Sequence, residues 1–325
     1  MIETTSYHES ALALHKRVCV VDAHCDTISL VLDDGHMFAH GSHEGHIDVP
    51  RLREAGMGIQ VLACWNEPQW SGHAAFARCM EKIGTFYQEQ RKADLRLVTR
   101  KADLDVLDLG FILSLEDAAP CMGNTRHIDA LYAAGVRMIG LTWNGRNEIA
   151  DGLKVGDKPG GLTDVGRICV GHMQALGIVV DLSHIAEVGF WDVVAESTKP
   201  LACSHSNAKA VHDHIRNLTD AQIKAIAASG GVIGVTYVPS FLSTERPGIA
   251  EVIRHIEHIV EVGGIDVVGL GSDFDGIQTT PVGLEDCSRL PALTAALMER
   301  GWKEAELTKL LGANWVRVFK ANWTC

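Results

Sequence analysis

Eight short apolar runs, each ending in polar residues and each followed by a stretch of helical periodicity, leave this chain few folds to choose from. The runs are RVCVVDAH (17–24), GIQVLAC (58–64), GFILSLE (110–116), VRMIGLT (136–142), GIVVDLSH (177–184), PLACSH (200–205), GVIGVTY (231–237) and DVVGLGSD (266–273). Continuous runs rich in Val and Ile suit strands covered on both faces, the environment of a parallel sheet. Helices are expected between them at 74–92, 126–134, 163–176, 186–196, 220–229, 249–262 and 290–300, with 303–320 closing the chain. Thr219 followed by Gln222 reads as a capping box, and Gly230-Gly231 as the stop of the helix it opens. Strands alternating with helices imply right-handed βαβ units, and eight of them imply a closed (β/α)8 barrel of TIM type, an α/β fold. An open doubly wound sheet is the lesser alternative. No Gly-x-Gly-x-x-Gly follows the first strand and no Gly-Lys-Ser/Thr occurs, so neither nucleotide-binding fingerprint is present.

A chain of 325 residues, 46% hydrophobic and 22% charged, is long enough for one large barrel domain over residues 1–325. Its net charge of −12 argues against nucleic acid or an anionic membrane as a partner. The opening MIETTSYHES lacks the basic residues and apolar run of a signal peptide, and no stretch approaches a membrane span. Nine cysteines are scattered with no Cys-x-x-Cys pair, which suits reduced thiols. A cytoplasmic protein acting on a small molecule is the expectation, with a homodimer as its assembly.

Chemistry concentrates at the C-terminal ends of the runs, the face on which barrel enzymes place their sites. In Asp22-Ala23-His24-Cys25-Asp26 a period of two turns His24 and Asp26 the same way and Cys25 the other. Strand three ends in Glu116, strand five in His184 and strand six in His205. Strands five and six are expected to be neighbours, about 4.8 Å apart, so their histidines can share an ion. Three imidazoles and two carboxylates suit zinc or a similar divalent metal, and one bridging carboxylate holds two such ions about 3.5–4 Å apart.

These residues carry a family resemblance that runs through nearly the whole chain. VDAHCDT, HIDVPRLREAGMGIQVLACW (46–65), LSLEDA, LTWNGRNEIADG (141–152), DLSH, SHSNA, IRNLTD and GLGSDFDG (269–276) resemble the renal (membrane) dipeptidases of the amidohydrolase-like barrels. The resemblance implies two zinc ions, one on His24 and Asp26, the other on His184 and His205, with Glu116 bridging. It implies Asp273 as the catalytic aspartate and Arg216 as the residue binding the substrate's terminal carboxylate. The implied reaction is hydrolysis of L-Xaa-L-Xaa or L-Xaa-D-Xaa dipeptides by a hydroxide generated between the ions. A related hydrolase acting on a lactone, cyclic amide or phosphotriester is the alternative, and a barrel that only binds ligand is a weaker one.

One departure bears on specificity. The family's best-known members carry a His after the Leu-Thr of strand four, where this chain has Trp143. Asn144, or else Asn147, is the candidate replacement for the lost substrate contact. His36, His40, His43 and His46 fall in a polar stretch (33–50) expected to loop over the barrel mouth rather than to hold metal. His172, His255 and His258 fall on helices and read as packing or surface residues, whereas His212 and His214 lie near Arg216. Asp275, two residues after Asp273, is expected to face the same way and support the site from behind.

Overall fold

The computed structural model describes residues 2–42 and 44–325. Each apolar run contains a strand: β1 Val20–Asp22, β2 Met57–Trp65, β3 Gly110–Glu116, β4 Val136–Gly140, β5 Val179–Asp181, β6 Ala202–Cys203, β7 Val232–Val235 and β8 Val268–Leu270. All neighbours pair in parallel around the ring, and β8 returns to β1 to close it. A further two-residue strand, Arg96–Leu97, pairs with β3 outside the ring. The fold is therefore the closed eight-stranded barrel.

Strand parity divides the core. Val21, Ile59, Val61, Ile112, Met138, Val179, Ala202 and Val232 form one buried cluster within the ring. Trp315, Phe319 and Trp323 of the closing helix Asn314–Asn322 join that cluster, and Asn314 Nδ2 donates to Val268 O at 2.8 Å, at the start of β8. The alternate residues, including Leu62, Leu113, Ile139, Val180 and Ile233, belong to the outer core. In the outer helix Ile249–Gly263, Val252, Ile253, Ile256 and Ile259 are buried, an apolar stripe at helical spacing.

The eight expected helices are present. Thr219 and Gln222 form the capping box, with Gln222 N donating to Thr219 Oγ1 at 3.3 Å and Thr219 N donating to Gln222 Oε1 at 2.9 Å. The last expected helix is broken into Glu304–Thr308, a π-turn at Lys309–Ala313, and Asn314–Asn322. The break lies at Gly312, which presses on the backbone before β1. A Cβ there would stand 1.9 Å from Cys19 O, so no other residue fits. Helices at Ile2–His15, Thr27–Asp33 and Val49–Glu54 were not expected. No described helix is long and apolar enough to cross a membrane.

Candidate metal centre

Six of the eight strands, all but β2 and β3, stop short of the ends of their apolar runs, and the polar tails beyond them turn inward over the barrel mouth. Past β1, Cys25 bridges to Phe274 and donates its thiol to Val61 O at 3.4 Å. That side of the segment is occupied by packing, and His24 Nε2 and Asp26 Oδ2 come within 3.5 Å of each other on the opposite side. Glu116, the last residue of β3, stands between two groups of ligand-type residues. Its Oε2 is 3.5 Å from His24 Nε2, while its Oε1 is 2.9 Å from His184 Nε2 and 3.4 Å from His205 Nε2.

His184 and His205 are held in a form suited to binding metal, whereas the carboxylates of Glu116 and Asp26 beside His24 raise its pKa despite burial. Asn144 Oδ1 lies 3.0 Å from His184 Nδ1, where an amide oxygen can only accept, so the proton sits on Nδ1 and Nε2 carries a lone pair. Burial, with Arg216 adding to it, pushes the His184 pKa down to about 4 and keeps the ring neutral. His184 takes a positive φ of 70°, a costly conformation for a residue with a Cβ, and this re-aims the ring from where strand alternation would send it.

Two buried atoms here, His24 Nε2 and Asp26 Oδ1, have no hydrogen-bond partner. His24, Glu116 and His205 bring ligand atoms within 4.8 Å of one another, and so do His24, Asp26 and Asp273. Three imidazoles and three carboxylates converging in one dry site form the donor set a divalent cation requires, so the residues fit a metal centre.

Asp273 completes the cluster, with Oδ1 3.9 Å from His24 Nε2 and a positive φ of 67°. Burial pushes its pKa up to about 7; Asp26 and Glu116 push the same way, while His24 and Arg216 oppose. Gly276 lies flat against it, since a Cβ there would meet Asp26 Oδ2 at 2.3 Å and Asp273 Oδ1 at 2.6 Å.

Arg216 is buried close by. Its Nη2 donates to His205 O at 3.1 Å, its guanidinium lies 5.5 Å from the Phe241 ring centre, and its Nε has no partner. It lines a cavity of about 210 Å³ that shares His184 with the one over the candidate ligands. That second cavity, about 370 Å³, has Asp26, Glu116, His184 and Asp273 in its wall and apolar sides that include Leu30, Trp65, Trp143 and Ile277. Trp143 packs edge-on to Trp65 at 5.3 Å and also lines a neighbouring cavity of about 460 Å³.

Several expectations change. Asn144 lines the cavity over the candidate ligands, but its oxygen is committed to His184, so it orients a ring before it meets any substrate. Asn147 offers nothing free: it donates to Asp117 Oδ1 and Leu141 O and accepts from Ile149 N and Ala150 N. Asp275, with a positive φ of 65°, turns away from Asp273 to accept from Thr27 Oγ1 at 2.6 Å and His46 N at 2.5 Å. It anchors the loop over the mouth. His46 Nδ1 accepts from Asp275 N, and His36 Nε2 bonds to Ile47 O, so both serve that loop; His43 lies outside the described residues. His172 and His258 pair with Asp129 and Asp220 away from the site, and His255 is a buried packing residue. His214 stacks on Phe241 and accepts from Arg216 N, so it shapes the Arg216 loop.

The sequence reading missed the buried polar layer beneath the cluster: Asp22, Asp181, Ser204 and Ser272. Its signal was present, as polar residues one to three positions before the cluster members where an apolar run should continue.

Comparison with known proteins places the chain in context. The family model described as membrane dipeptidase (peptidase family M19) matches residues 8–324. An uncharacterized protein in the pqqA 5′ region of Klebsiella pneumoniae is 40% identical over 245 residues, covering 70% of this chain and 89% of that one. A metallopeptidase from Rhodobacter sphaeroides, solved with a phosphinate mimic of the dipeptide L-Ala-D-Ala, superposes with a TM-score of 0.89 at 28% identity, covering 94% of this chain and 99% of that one. The M19 metallopeptidase called dipeptidase AC gives 0.87 at 30% identity, covering 95% and 99%.

Proposed function

This chain belongs to the membrane dipeptidase family, peptidase family M19, and from that premise we propose that it hydrolyses the peptide bond of dipeptides with the help of two divalent metal ions. The observation that carries the reading is Glu116, whose two carboxylate oxygens face His24 on one side and the His184–His205 pair on the other. His24 and Asp26 would hold one ion, His184 and His205 the other, and Glu116 both. Three imidazoles among five ligands favour zinc.

When bound, such ions act as Lewis acids towards the scissile carbonyl and bring the pKa of a water towards neutrality. The protein supplies the rest. Asp273, with its pKa near 7, takes the proton from the attacking water and returns it to the departing amine. Arg216, a fork of donors with an unpartnered Nε, holds the substrate's free carboxylate. Asn144 keeps the His184 lone pair directed at its ion. The indoles of Trp65 and Trp143 exclude bulk water from one side.

The phosphinate-bound relative supports a dipeptide as the substrate class. A cytoplasmic location and the absence of nucleic-acid or membrane partners belong to the same proposal, supported by the acidic charge and by nine cysteines without a disulfide. A homodimer, the commonest assembly of soluble enzymes, is part of it too and is read by sedimentation.

The test is hydrolysis of L,L and L,D dipeptides, with free and amidated C-termini, before chelation, after it and after zinc is restored. Activity should vanish and return with the metal and should require the free carboxylate. No turnover across the panel with two ions bound would pass the substrate to the lactone and cyclic-amide hydrolases.

A further inference from the structure

Two buried carboxylates outside the ligand set grip the centre in the same way. Asp181, at the end of β5, accepts the backbone N–H of Ser204 at 2.8 Å through one oxygen and the Ser204 hydroxyl at 2.5 Å through the other. Asp22, at the end of β1, accepts the backbone N–H of Ser272 at 2.8 Å and the Ser272 hydroxyl at 2.6 Å. In both cases the serine follows the neighbouring strand, β6 or β8, and the residue after the serine belongs to the cluster: His205 or Asp273. Each aspartate also reaches a second segment of its own half. Asp181 accepts from Ser183 N, beside His184, at 3.0 Å, and Asp22 accepts from His24 N at 3.4 Å.

We propose that Asp22 and Asp181 are paired positioning residues, each setting one half of the metal centre: Asp181 the His184–His205 half, Asp22 the His24–Asp273 half. The inference rests on the two-metal reading above. A carboxylate can only accept, so the single proton of Ser204 goes to Asp181. Ser204 Oγ, 2.8 Å from His205 Nδ1, then offers that ring only lone pairs. His205 must carry its proton on Nδ1 and leave Nε2 free for metal, a control exerted through the hydroxyl without Asp181 touching the ring. An asparagine at 181 can donate. Ser204 is then free to turn its proton to His205 Nδ1, and the ring proton moves to Nε2, where it blocks an ion. The Asp22 clamp has no imidazole in its path and works on backbone, holding the segment in which Asp273 N donates to His24 O at 3.1 Å.

The experiment is zinc titration of the chelated full-length protein, read as the affinity of each of two equivalents. Asp181→Asn should weaken one equivalent by about 10- to 100-fold and spare the other, and Asp22→Asn should do the reverse. Each loss should disappear in the background of its own half. Asp181→Asn should add nothing to His205→Ala but act in full on His24→Ala. Nitrogen NMR of the histidine-labelled apoprotein supplies a signature that mere destabilisation would not give. His205 should pass from the Nδ1–H to the Nε2–H form in Asp181→Asn and not in Asp22→Asn. Ser204→Ala and Ser272→Ala keep the backbone bond and should show the same division, more weakly, if either aspartate variant does not fold. Equal weakening of both equivalents by either variant, or wild-type affinity in both, overturns the proposal. If the division holds but no dipeptide is hydrolysed, the substrate reading fails and the clamps stand. A wild-type protein binding fewer than two equivalents overturns both.

Discussion

His184 Nε2 and His205 Nε2 lie 2.9 Å apart, and the partners of the other ring nitrogens, Asn144 Oδ1 and Ser204 Oγ, favour placing each ring's proton on Nδ1. Two lone pairs therefore face each other, with the carboxylate oxygen of Glu116 beside them. Without a cation that arrangement is repulsive, so metal should stabilise the folded chain as well as serve chemistry. At a thousand times its Kd a ligand of the native state contributes about 4 kcal/mol, and chelation should lower Tm by several degrees, reversed by zinc. A melting curve indifferent to chelator would remove the metal from the centre.

Glu116→Gln halves the charge logic of the site. One amide oxygen cannot face both groups, so this variant should lose affinity for both ions. Metal analysis finding two tightly held equivalents would contradict the bridging role.

Asp273→Asn should keep its metals and lose turnover by about 100-fold or more, the usual scale for a positioned acid–base group. The relevant comparison is kcat at matched metal content. Near-normal turnover would leave Asp273 without a part in the proton transfers.

Trp143 separates a cavity of about 370 Å³ from one of about 460 Å³. Trp143→Ala should join them and favour dipeptides with bulky side chains. Their kcat/KM relative to Ala-Ala should rise by about 10-fold or more, the range that fitting apolar bulk into a pocket commands. An unchanged ratio would show that the indole is not the limiting wall.

His15 gives a pH dependence unrelated to the site. Its Nδ1 donates to Ala55 O and its Nε2 accepts from Thr294 Oγ1, both at 2.8 Å, an arrangement for a neutral ring. Burial pushes its pKa down from 6.5 to about 4. The unfolded chain therefore binds the proton more readily, so the contribution is complete above pH 6.5 and is lost as pH falls towards 4. The loss is on the order of 3 kcal/mol. In the metal-free protein, His15→Asn should be less stable at pH 7 but flatter between pH 7 and 4.5; parallel curves would refute this.

The barrel was legible because its strands are buried on both faces, so an apolar run names a strand directly. The cluster was legible for the opposite reason: His24, Glu116, His205 and Asp273 stand where apolar residues should be. What escaped depends on backbone turns that alternation does not encode. The positive φ at His184 and Asp275 redirects both side chains, and for Asp275 the period of two gives the wrong face. Gly312 splits a helix because a carbonyl of a distant segment presses on it, which no local pattern announces. The helix Ile2–His15 hid because its polar opening shows no apolar stripe, and from Tyr7 onward only Ala11, Leu14 and His15 of it are buried. Arg216 owed its assigned role to family resemblance alone, and so did the bridging role of Glu116.

The clamp between Asp22 and Ser272 joins residues 250 positions apart across the seam where β8 meets β1. During synthesis the ribosome releases His24 and Asp26 long before their partners exist. The segment that fixes Asp273 emerges only near the end. The His24–Asp273 half can therefore be assembled only when β8 meets β1, which makes closure of the ring the last step in building the centre.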